Sequence, residues 1–472
     1  MSVINLRTLA GDTTDGFAGA GGSSEGARQA GVTVRTALNH WRLAVDVHQA
    51  NHPDTAHDCA DISQVDPRRY PTTTFAWFSP SCTNHSIAQG KKRHQDATPD
   101  LFGEILPDDA AERSRATMWD VIRFAEFHEY RAIIVENVVD AREWILWPAW
   151  IAAFQALRYR FKLVCLNSMH ATALGDGAPQ SRDRMYVVLW REGEKAPDFD
   201  KWLRPTAHCA GCDRVVRAVQ AWKNPRRTYG KYKTQYVWRC PTVRCHAEVF
   251  PAVRPASDAI DWSLPAQRIG DRDRPLADKT MKRIRDGYAA YSRPLLVPVE
   301  GREGKVARPA DQPMRTCTAR NETGVTVPPY MVELRGGSSS HRAVSEPLAT
   351  VCASGNHHGL AVPDMVVPYY GNANARPTTE PIPTVTTVDR HGLLAGGVVT
   401  AVEDLGFRML EPAEYAAAME FPNSYIWLGN KRERVRMAGN AVTPPAARDL
   451  FAMIGEAILG NEYDQLRLAI AA

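Results

Sequence analysis

Apolar and polar positions follow several different periods along this chain, and each period marks an element. Phe75-Ala76-Trp77-Phe78 is an unbroken apolar run of strand length, entered from Thr72-Thr73-Thr74 and closed by Ser79-Pro80. Proline fixes φ and cannot donate to a ladder, so the run reads as a short buried strand ending in a turn. Val32 to Leu38, Arg131 to Val135 and Met185 to Trp190 read the same way, and a further strand closes at Asp61-Ile62. Helical spacing appears instead at Ala27 to Ala30, which Gly31 ends, at Met118 to Phe127 and at Trp144 to Leu157. Strands alternating with helices predict an α/β fold with a Rossmann-like sheet.

Two stretches break this alternation. From Ile87 to Arg115 the chain is polar, carries Lys91-Lys92-Arg93-His94 and has no clear period, so a long loop is expected there. Near Glu192 the composition shifts. Residues 1–192 therefore read as one domain, 193–405 as a large, mainly β insert, and 406–472 as a segment that completes the first domain. The insert contains a repeat. Gln312-Pro313-Met314-Arg315-Thr316, Glu346-Pro347-Leu348-Ala349-Thr350 and Glu380-Pro381-Ile382-Pro383-Thr384 share one pattern and start 34 residues apart. Gly359 and Gly392, each after a His, extend the match. Pro, Thr and Gly exclude long helices, so short strands and turns are expected over about 312–392. The linking stretches Arg335 to Arg342 and Gly371 to Arg376 are small, polar and basic, suited to approaching DNA or to solvation. Pro412 starts a helix through Met419, which Phe421-Pro422 ends. Arg436 to Pro445 reads as a turn into a last helix with Pro in its first turn.

Composition is that of an ordinary globular chain: 472 residues, 44% hydrophobic and 23% charged, enough for two or three domains. No apolar run reaches transmembrane length and no secretory apolar core opens the chain, so a cytoplasmic protein without a membrane partner is expected. Nine cysteines, an odd number, do not suggest a secreted disulfide framework. Four of them are paired at knuckle-like spacing, Cys209-x-x-Cys212 and Cys240-x-x-x-x-Cys245, with Cys240 28 positions after Cys212. That pattern predicts a four-thiolate structural zinc site within about 205–250, with His208 and His246 as possible substitutes. Between the pairs lie Arg214, Arg217, Lys223, Arg226, Arg227, Lys231, Lys233 and Arg239, interleaved with Trp222, Tyr229, Tyr232, Tyr236 and Trp238. Such a segment suits a phosphate backbone; a solvated basic hairpin is the alternative.

Candidate chemistry sits at the strand ends. Asp15 to Gly26 is a glycine-rich turn into a helix, a place for a nucleotide or nucleoside at the edge of a sheet. His40 and Trp41, after the next strand, offer a polar group and an apolar face. Cys82 follows the strand that ends at Phe78, where a rigid scaffold can present a nucleophilic thiol; a small core cysteine is the other reading. Glu136 closes a buried strand and is a candidate acid; a structural ion pair is the other reading. Gln180, Arg182 and Arg184 share one face of the chain leading into Met185.

Taken in order, these pieces resemble the DNA (cytosine-5-)-methyltransferase family: Phe17-Ala18-Gly19-Ala20-Gly21-Gly22, Asn39-His40-Trp41, Asp61-Ile62, Pro80-Ser81-Cys82 with Ser86, Glu136-Asn137-Val138, Gln180-x-Arg182-x-Arg184, Arg408-Met409-Leu410 with Phe421-Pro422, and Gly439-Asn440-Ala441-Val442. The resemblance spans residues 15 to 444, and residues 193–405 fall where the family's target-recognition region lies. It implies a Rossmann-like catalytic domain that transfers a methyl group from S-adenosylmethionine to carbon 5 of a cytosine flipped out of double-stranded DNA. By the same resemblance Cys82 adds to carbon 6, Glu136 holds the ring nitrogen and amine, Arg184 contacts the base carbonyl and Arg182 positions Glu136. Phe17, Ala18, Gly19, Gly21, Gly22, His40, Trp41, Asp61, Ile62, Pro80, Asn440, Ala441 and Val442 surround the cofactor. For DNA the expected contacts are Ser86, then Arg226, Arg227, Lys231 and Lys233 on phosphates, and Arg335, Arg342 and Arg376 at base edges. A monomer is expected, and a cognate restriction endonuclease is a partner the family admits.

The chain also departs from the family's pattern. Ser81 and Thr83 flank the cysteine in place of Pro and Gln, Gly16 replaces an apolar residue, and Met419-Glu420 replaces Gln-Gly. His40 stands where a ribose-binding Glu is expected, which leaves open a modified donor and transfer of a group other than methyl. An RNA cytosine methyltransferase and a non-catalytic DNA-binding protein are the remaining alternatives.

Overall fold

The structure is a computed structural model. It describes residues 11–80 and 108–254, most of 256–281, short strands between 295 and 407, and residues 411–463. The chain forms two compact units: Met1–Arg254 with Met419–Gly429 and Asn440–Ala472, and Pro255–Ala418 with Asn430–Gly439.

The first unit is built on seven strands: β1 (Asp12–Gly16), β2 (Thr33–Leu38), β3 (Ala56–Asp58), β4 (Phe75–Phe78), β5 (Ala132–Asn137), β6 (Tyr159–Asn167) and β7 (Asp183–Arg191). Their order in the sheet is β3-β2-β1-β4-β5-β7-β6. The first five are parallel, while β7 runs antiparallel to β5 and β6 antiparallel to β7. The chain leaves β1 toward β2 and β3, then returns to β4 on the other side, so the topological switch point lies between β1 and β4.

Both faces of this sheet are buried, which explains why the strands read as continuous apolar runs. Successive side chains take opposite faces. Phe75, Trp77, Ala132, Ile134 and Val188 pack with Ala27, Ala30, Leu450, Phe451 and Ile454 on one side. Ala76, Phe78, Ile133, Val135, Val187 and Leu189 pack with Val121, Phe124, Trp150 and Phe154 on the other.

The helices described in full are α1 (Gly22–Gln29), α2 (Arg42–Asn51), α3 (Asp108–His128), α4 (Trp147–Ala156), α5 (Phe199–Leu203), α6 (Pro412–Ala418), α7 (Lys431–Asn440) and α8 (Pro444–Leu459). Several boundaries differ from the sequence expectation. Part of the stretch expected as loop, from Asp108 onward, belongs to α3. The strand expected to close at Asp61-Ile62 stops at Asp58, and the Asp61 carboxylate caps a short 3-10 turn by accepting from Ser63 N. Arg436 to Asn440 is helical, within α7, because the Lys, Arg, Glu, Met and Ala content of 431–438 outweighs the Gly439-Asn440 turn signal. Pro444 and Pro445 do open the last helix. Among the described residues no helix is long and apolar enough to cross a membrane.

The composition shift near Glu192 does not coincide with the packing boundary, because the first unit runs on through Arg254. β8 (Thr206–Cys209), β9 (Arg214–Arg217) and β12 (Phe250–Pro251) form one antiparallel sheet, and β10 (Val219–Trp222) pairs with β11 (Tyr236–Arg239). These strands close over the end of β6. Cys165 and Met169 share a core with Ala207, Val216, Tyr236 and Trp238. Gln220 Nε2 donates to Cys165 O at 3.0 Å, and Trp238 Nε1 donates to His170 Nδ1 at 3.1 Å.

In the second unit β13 (Gln267–Arg268) pairs with β23 (Gly406–Phe407). Between them, among the described residues, lie nine short strands in three sheets of one plan. β14 (Leu295–Pro298), β15 (Arg308–Pro309) and β16 (Thr323–Thr326) make the first; β17 (Tyr330–Glu333), β18 (His341–Arg342) and β19 (His358–Ala361) the second; β20 (Met365–Pro368), β21 (Arg376–Pro377) and β22 (His391–Leu393) the third. In each the first strand is central, flanked by antiparallel partners. The short strands expected from the 34-residue repeat are present as three copies of one antiparallel unit. Arg342 and Arg376, expected in linking loops, lie in β18 and β21.

Candidate active site and cysteine cluster

Five strands, β1, β2, β4, β5 and β7, deliver candidate residues to the C-terminal edge of the parallel sheet. At the end of β1 the backbone reverses through Phe17 (φ 62°), Gly19 (φ 55°) and Gly21 (φ 91°). Ala18 N donates to Leu38 O at 3.0 Å, which ties the turn to the end of β2. A Cβ on Gly19 would meet nothing within 4 Å, so the turn has open space on the side where a ligand would sit. A Cβ on Gly22 would lie 2.0 Å from Val442 O. The glycine turn and the 440–442 segment, far apart in sequence, are therefore in direct contact.

Behind the turn is a buried polar network that the sequence pattern did not signal. Asp15 Oδ2 accepts from both Ser23 Oγ and Ser24 Oγ at 2.6 Å. Burial pushes the Asp15 carboxyl up to about 6, against the opposing pull of these hydroxyls. His48 Nε2 is 2.8 Å from Ser24 Oγ, and His48 Nδ1 is 2.8 Å from His57 Nε2. Tyr425 donates its hydroxyl to Ala20 O at 2.5 Å.

The other proposed cofactor residues flank the turn with different exposures. His40 is exposed and Trp41 half-buried; Trp41 N donates to Asn39 Oδ1 at 2.8 Å. Ile62 is buried among Leu38, Phe78 and Val65, while Asp61 is exposed and engaged by Ser63. Ala441 and Val442 are buried and Asn440 is exposed.

Pro80 is buried at the end of β4, and its carbonyl accepts from Asn137 Nδ2 at 3.3 Å. Cys82 and Ser86 follow it and lie outside the described residues, as does Arg335. Glu136 occupies the end of β5, where β7 begins beside it. Because β7 is antiparallel, its start reaches the edge where β5 ends, with Asn137 opposite Met185 and Glu136 opposite Tyr186. Arg184 Nε then lies 3.0 Å from Glu136 Oε1, both side chains nearly buried. Arg182 NH2 donates to Ala441 O at 3.0 Å, linking this edge to the cofactor segment. Gln180 Nε2 contacts Met419 Sδ. The structure thus pairs the Glu136 carboxylate with Arg184.

The four cysteines converge. Cys209, Cys212, Cys240 and Cys245 place their Sγ atoms within 4.8 Å of one another, with 3.6 Å between Cys209 and Cys245 and 3.8 Å between Cys212 and Cys240. None is in a disulfide. Four sulfurs on a tetrahedron with zinc–sulfur bonds of about 2.3 Å are about 3.8 Å apart, so the donor set and its spacing fit zinc.

The basic segment divides into two sets. Lys231 Nζ pairs with Asp140 at 2.9 Å and Arg227 NH2 with Glu143 at 3.3 Å, where Tyr229 also donates to Glu143 at 2.5 Å. Arg226 and Lys233 are exposed. Two of the four expected phosphate contacts therefore already hold the segment to the 139–143 turn.

Residues 12–235 match the family described as C-5 cytosine-specific DNA methylase. The type II methyltransferase M.AgeI of Thalassovita gelatinovora is 27% identical over 194 residues, which cover 39% of this chain and 40% of that protein. DNA (cytosine-5)-methyltransferase 1 of Gallus gallus is 23% identical over 516 residues, covering 100% of this chain and 31% of its own length. The matched stretches thus span less than two thirds of these relatives. Among solved structures, a Spodoptera frugiperda DNMT2 mutant is 13% identical with a TM-score of 0.49, covering 94% of this chain and 99% of that one.

Proposed function

We propose that this chain, which carries a C-5 cytosine-specific DNA methylase domain over residues 12–235, methylates carbon 5 of cytosine in double-stranded DNA. The observation that carries the reading is the nearly buried Glu136–Arg184 pair beside Pro80, two residues before Cys82 and one strand from the glycine turn. Carbon 5 of cytosine is a weak nucleophile until a thiolate adds to carbon 6, and Cys82 supplies that thiolate; once carbon 5 carries the methyl group, loss of its proton breaks the carbon 6–sulfur bond and frees Cys82. Glu136 holds the ring nitrogen and the exocyclic amine, which stabilises the adduct as it forms. Arg184 fixes the Glu136 carboxylate and lies within reach of the base carbonyl. Arg182 ties the same edge to Ala441. The target cytosine must leave the helix to reach these groups.

S-adenosylmethionine, when bound, supplies the methyl group. The open space at Gly19, in the turn that runs through Phe17, Ala18, Gly21 and Gly22, and the close approach of Gly22 to Val442 fit such a ligand, with Trp41 and His40 assigned to its nucleoside end and Asn440 to its methionine end. Pro80, Asp61 and Ile62 complete the wall. His40 replaces a carboxylate with an imidazole that can still hydrogen-bond a hydroxyl.

The cysteine cluster holds a structural zinc that fixes the 205–250 segment. Exposed Arg226 and Lys233 then contribute to phosphate binding, and the second unit reads sequence. The protein acts as a monomer in the cytoplasm. The relatives' name, type II methyltransferase, favours a restriction endonuclease of the same specificity as its counterpart.

Bisulfite sequencing of plasmid DNA from cells expressing the chain tests the activity, with tRNA analysed in parallel. Methylation of one duplex sequence, lost in Cys82→Ser, is the expected result. Covalent trapping on DNA containing 5-fluorocytosine should require Cys82, because a serine hydroxyl supplies little nucleophile at neutral pH. Methylation confined to tRNA would refute the DNA assignment, and trapping by the serine variant at the wild-type rate would refute the role of Cys82.

A further inference from the structure

The three strand units of the second unit repeat more than their outline; they repeat their register. The second residue of each central strand, Leu296, Met331 or Val366, faces an arginine on the flanking strand: Arg308, Arg342 or Arg376. The third residue, Val297, Val332 or Val367, faces a glycine on the other flank: Gly324, Gly359 or Gly392. In every unit the arginine strand and the glycine strand are the two outer strands. The arginines are spaced 34 residues apart, as is the Gln/Glu-Pro motif four residues after each. Arg308 is thus the third member of a set whose other two members are Arg342 and Arg376. Arg335 precedes β18, outside this register.

Charge argues for what the set does. Residues 295–393 contain nine Lys and Arg and nine Asp and Glu, a balanced array. Residues 205–254 contain ten Lys and Arg against two Asp and Glu. Phosphate binding scales with the number of cations that displace counterions and needs no fixed register. A charge-balanced array that keeps one arginine at one register position of each of three like units is suited to directed contacts. A guanidinium's planar fork matches the O6 and N7 acceptors of guanine in the major groove. Glycine on the opposite outer strand has no Cβ, which permits close approach of another backbone.

We propose that the three units form a modular reader of duplex DNA in which Arg308, Arg342 and Arg376 each recognise a separate guanine of the target site. This rests on the reading of the chain as acting on duplex DNA. Sequence selectivity in the array is then divisible: one unit, one position.

The test uses the full-length chain and a randomised duplex library read in two ways, by enrichment of bound duplexes and by deep bisulfite sequencing of methylated ones. Arg308, Arg342 and Arg376 are each changed to Lys and to Ala. Lys keeps the charge and loses the fork, so a purely structural or phosphate role predicts a silent Lys variant. The expected result is that each Lys variant lowers the preference for guanine at one position, a different one for each residue, by about 5- to 150-fold, with the salt slope of binding unchanged. Arg335→Lys leaves the profile intact. Wild-type enrichment of a guanine-containing site without methylation would sink the enzymatic reading and leave this inference standing. Lys variants that keep the wild-type base profile, variants that all relax the same position, or wild-type binding with no guanine preference would each overturn it.

Discussion

The contact between α1 and the 440–442 segment makes a quantitative prediction at Gly22. Its φ is not in the left-handed region, so alanine is conformationally allowed, and helix propensity alone would favour it by roughly 0.5–1 kcal/mol. Packing opposes this. An alanine Cβ would stand 2.0 Å from Val442 O and 3.3 Å from Phe421 Cζ, where real Cβ contacts stay beyond 3.0 Å. The Val442 carbonyl or the helix must therefore move by about 1 Å, and overpacking of this kind costs about 1–3 kcal/mol. Packing wins, for a net loss of about 1–2 kcal/mol.

Two neighbours separate packing from ligand binding. At Gly26 a Cβ would meet Ala447 Cβ at 2.4 Å and Pro444 O at 2.6 Å, one turn away from the open side. At Gly19 it would meet nothing within 4 Å, but the residue sits at φ 55°, which costs a side-chain-bearing residue about 1–2 kcal/mol. Urea unfolding is followed by tryptophan fluorescence, since buried Trp77 lies 5.3 Å from Phe451 of α8 between ring centroids. S-adenosylmethionine binding is measured by calorimetry. Gly22→Ala and Gly19→Ala should each lose stability and affinity together, the first through packing and the second through backbone strain, whereas Gly26→Ala should lose chiefly stability. If Gly22→Ala is as stable as wild type, or if Gly26→Ala loses as much affinity as Gly22→Ala, the argument from close approach is wrong.

Other perturbations give distinct outcomes. Arg184→Met leaves Glu136 nearly buried without its cation, so unfolding should become easier by about 3–5 kcal/mol and methyl transfer should disappear; restoration of activity by Met with wild-type stability would refute the pairing. Neutralising Arg226 and Lys233 should lower the salt slope of DNA binding by about 2, whereas Arg227→Gln with Lys231→Gln should change the slope less and loosen the segment, read by hydrogen exchange at 219–239. Protein purified without chelator should hold one zinc per chain by elemental analysis, and Cys240→Ser should lose it and unfold the 205–250 segment while Trp77 stays buried. His52 is held neutral by burial, with its pKa pushed down to about 4. Its contribution to stability is whole above pH 6.5 and is lost as pH falls through 4, so the wild type minus His52→Gln difference should shrink by about 3 kcal/mol over that window; a flat difference would refute the burial argument.

Much of the first unit was legible because its signals are local. Phe75 to Phe78 and Arg131 to Val135 are apolar runs whose period does not depend on their partners. The glycine turn, the paired cysteines and the Gln/Glu-Pro repeat are likewise written in neighbouring residues. The sequence determined, by itself, that there would be a buried sheet with strand-end chemistry, a thiolate cluster and a short-stranded repeat. What joins those pieces required the tertiary structure. Arg184 meets Glu136 because β7 runs antiparallel to β5, a direction no local pattern encodes. Lys231 meets Asp140, and Val442 meets Gly22, across separations that only chain crossovers close. The α7 helix overrode a turn signal through the propensity of the residues before it. Arg308 was visible as a residue but carried no meaning until strand register placed it opposite Leu296, where Arg342 stands opposite Met331 and Arg376 opposite Val366. Periodicity is a property of a few consecutive residues, whereas register and strand direction are set by packing between distant ones, and that packing decided which residues share a site.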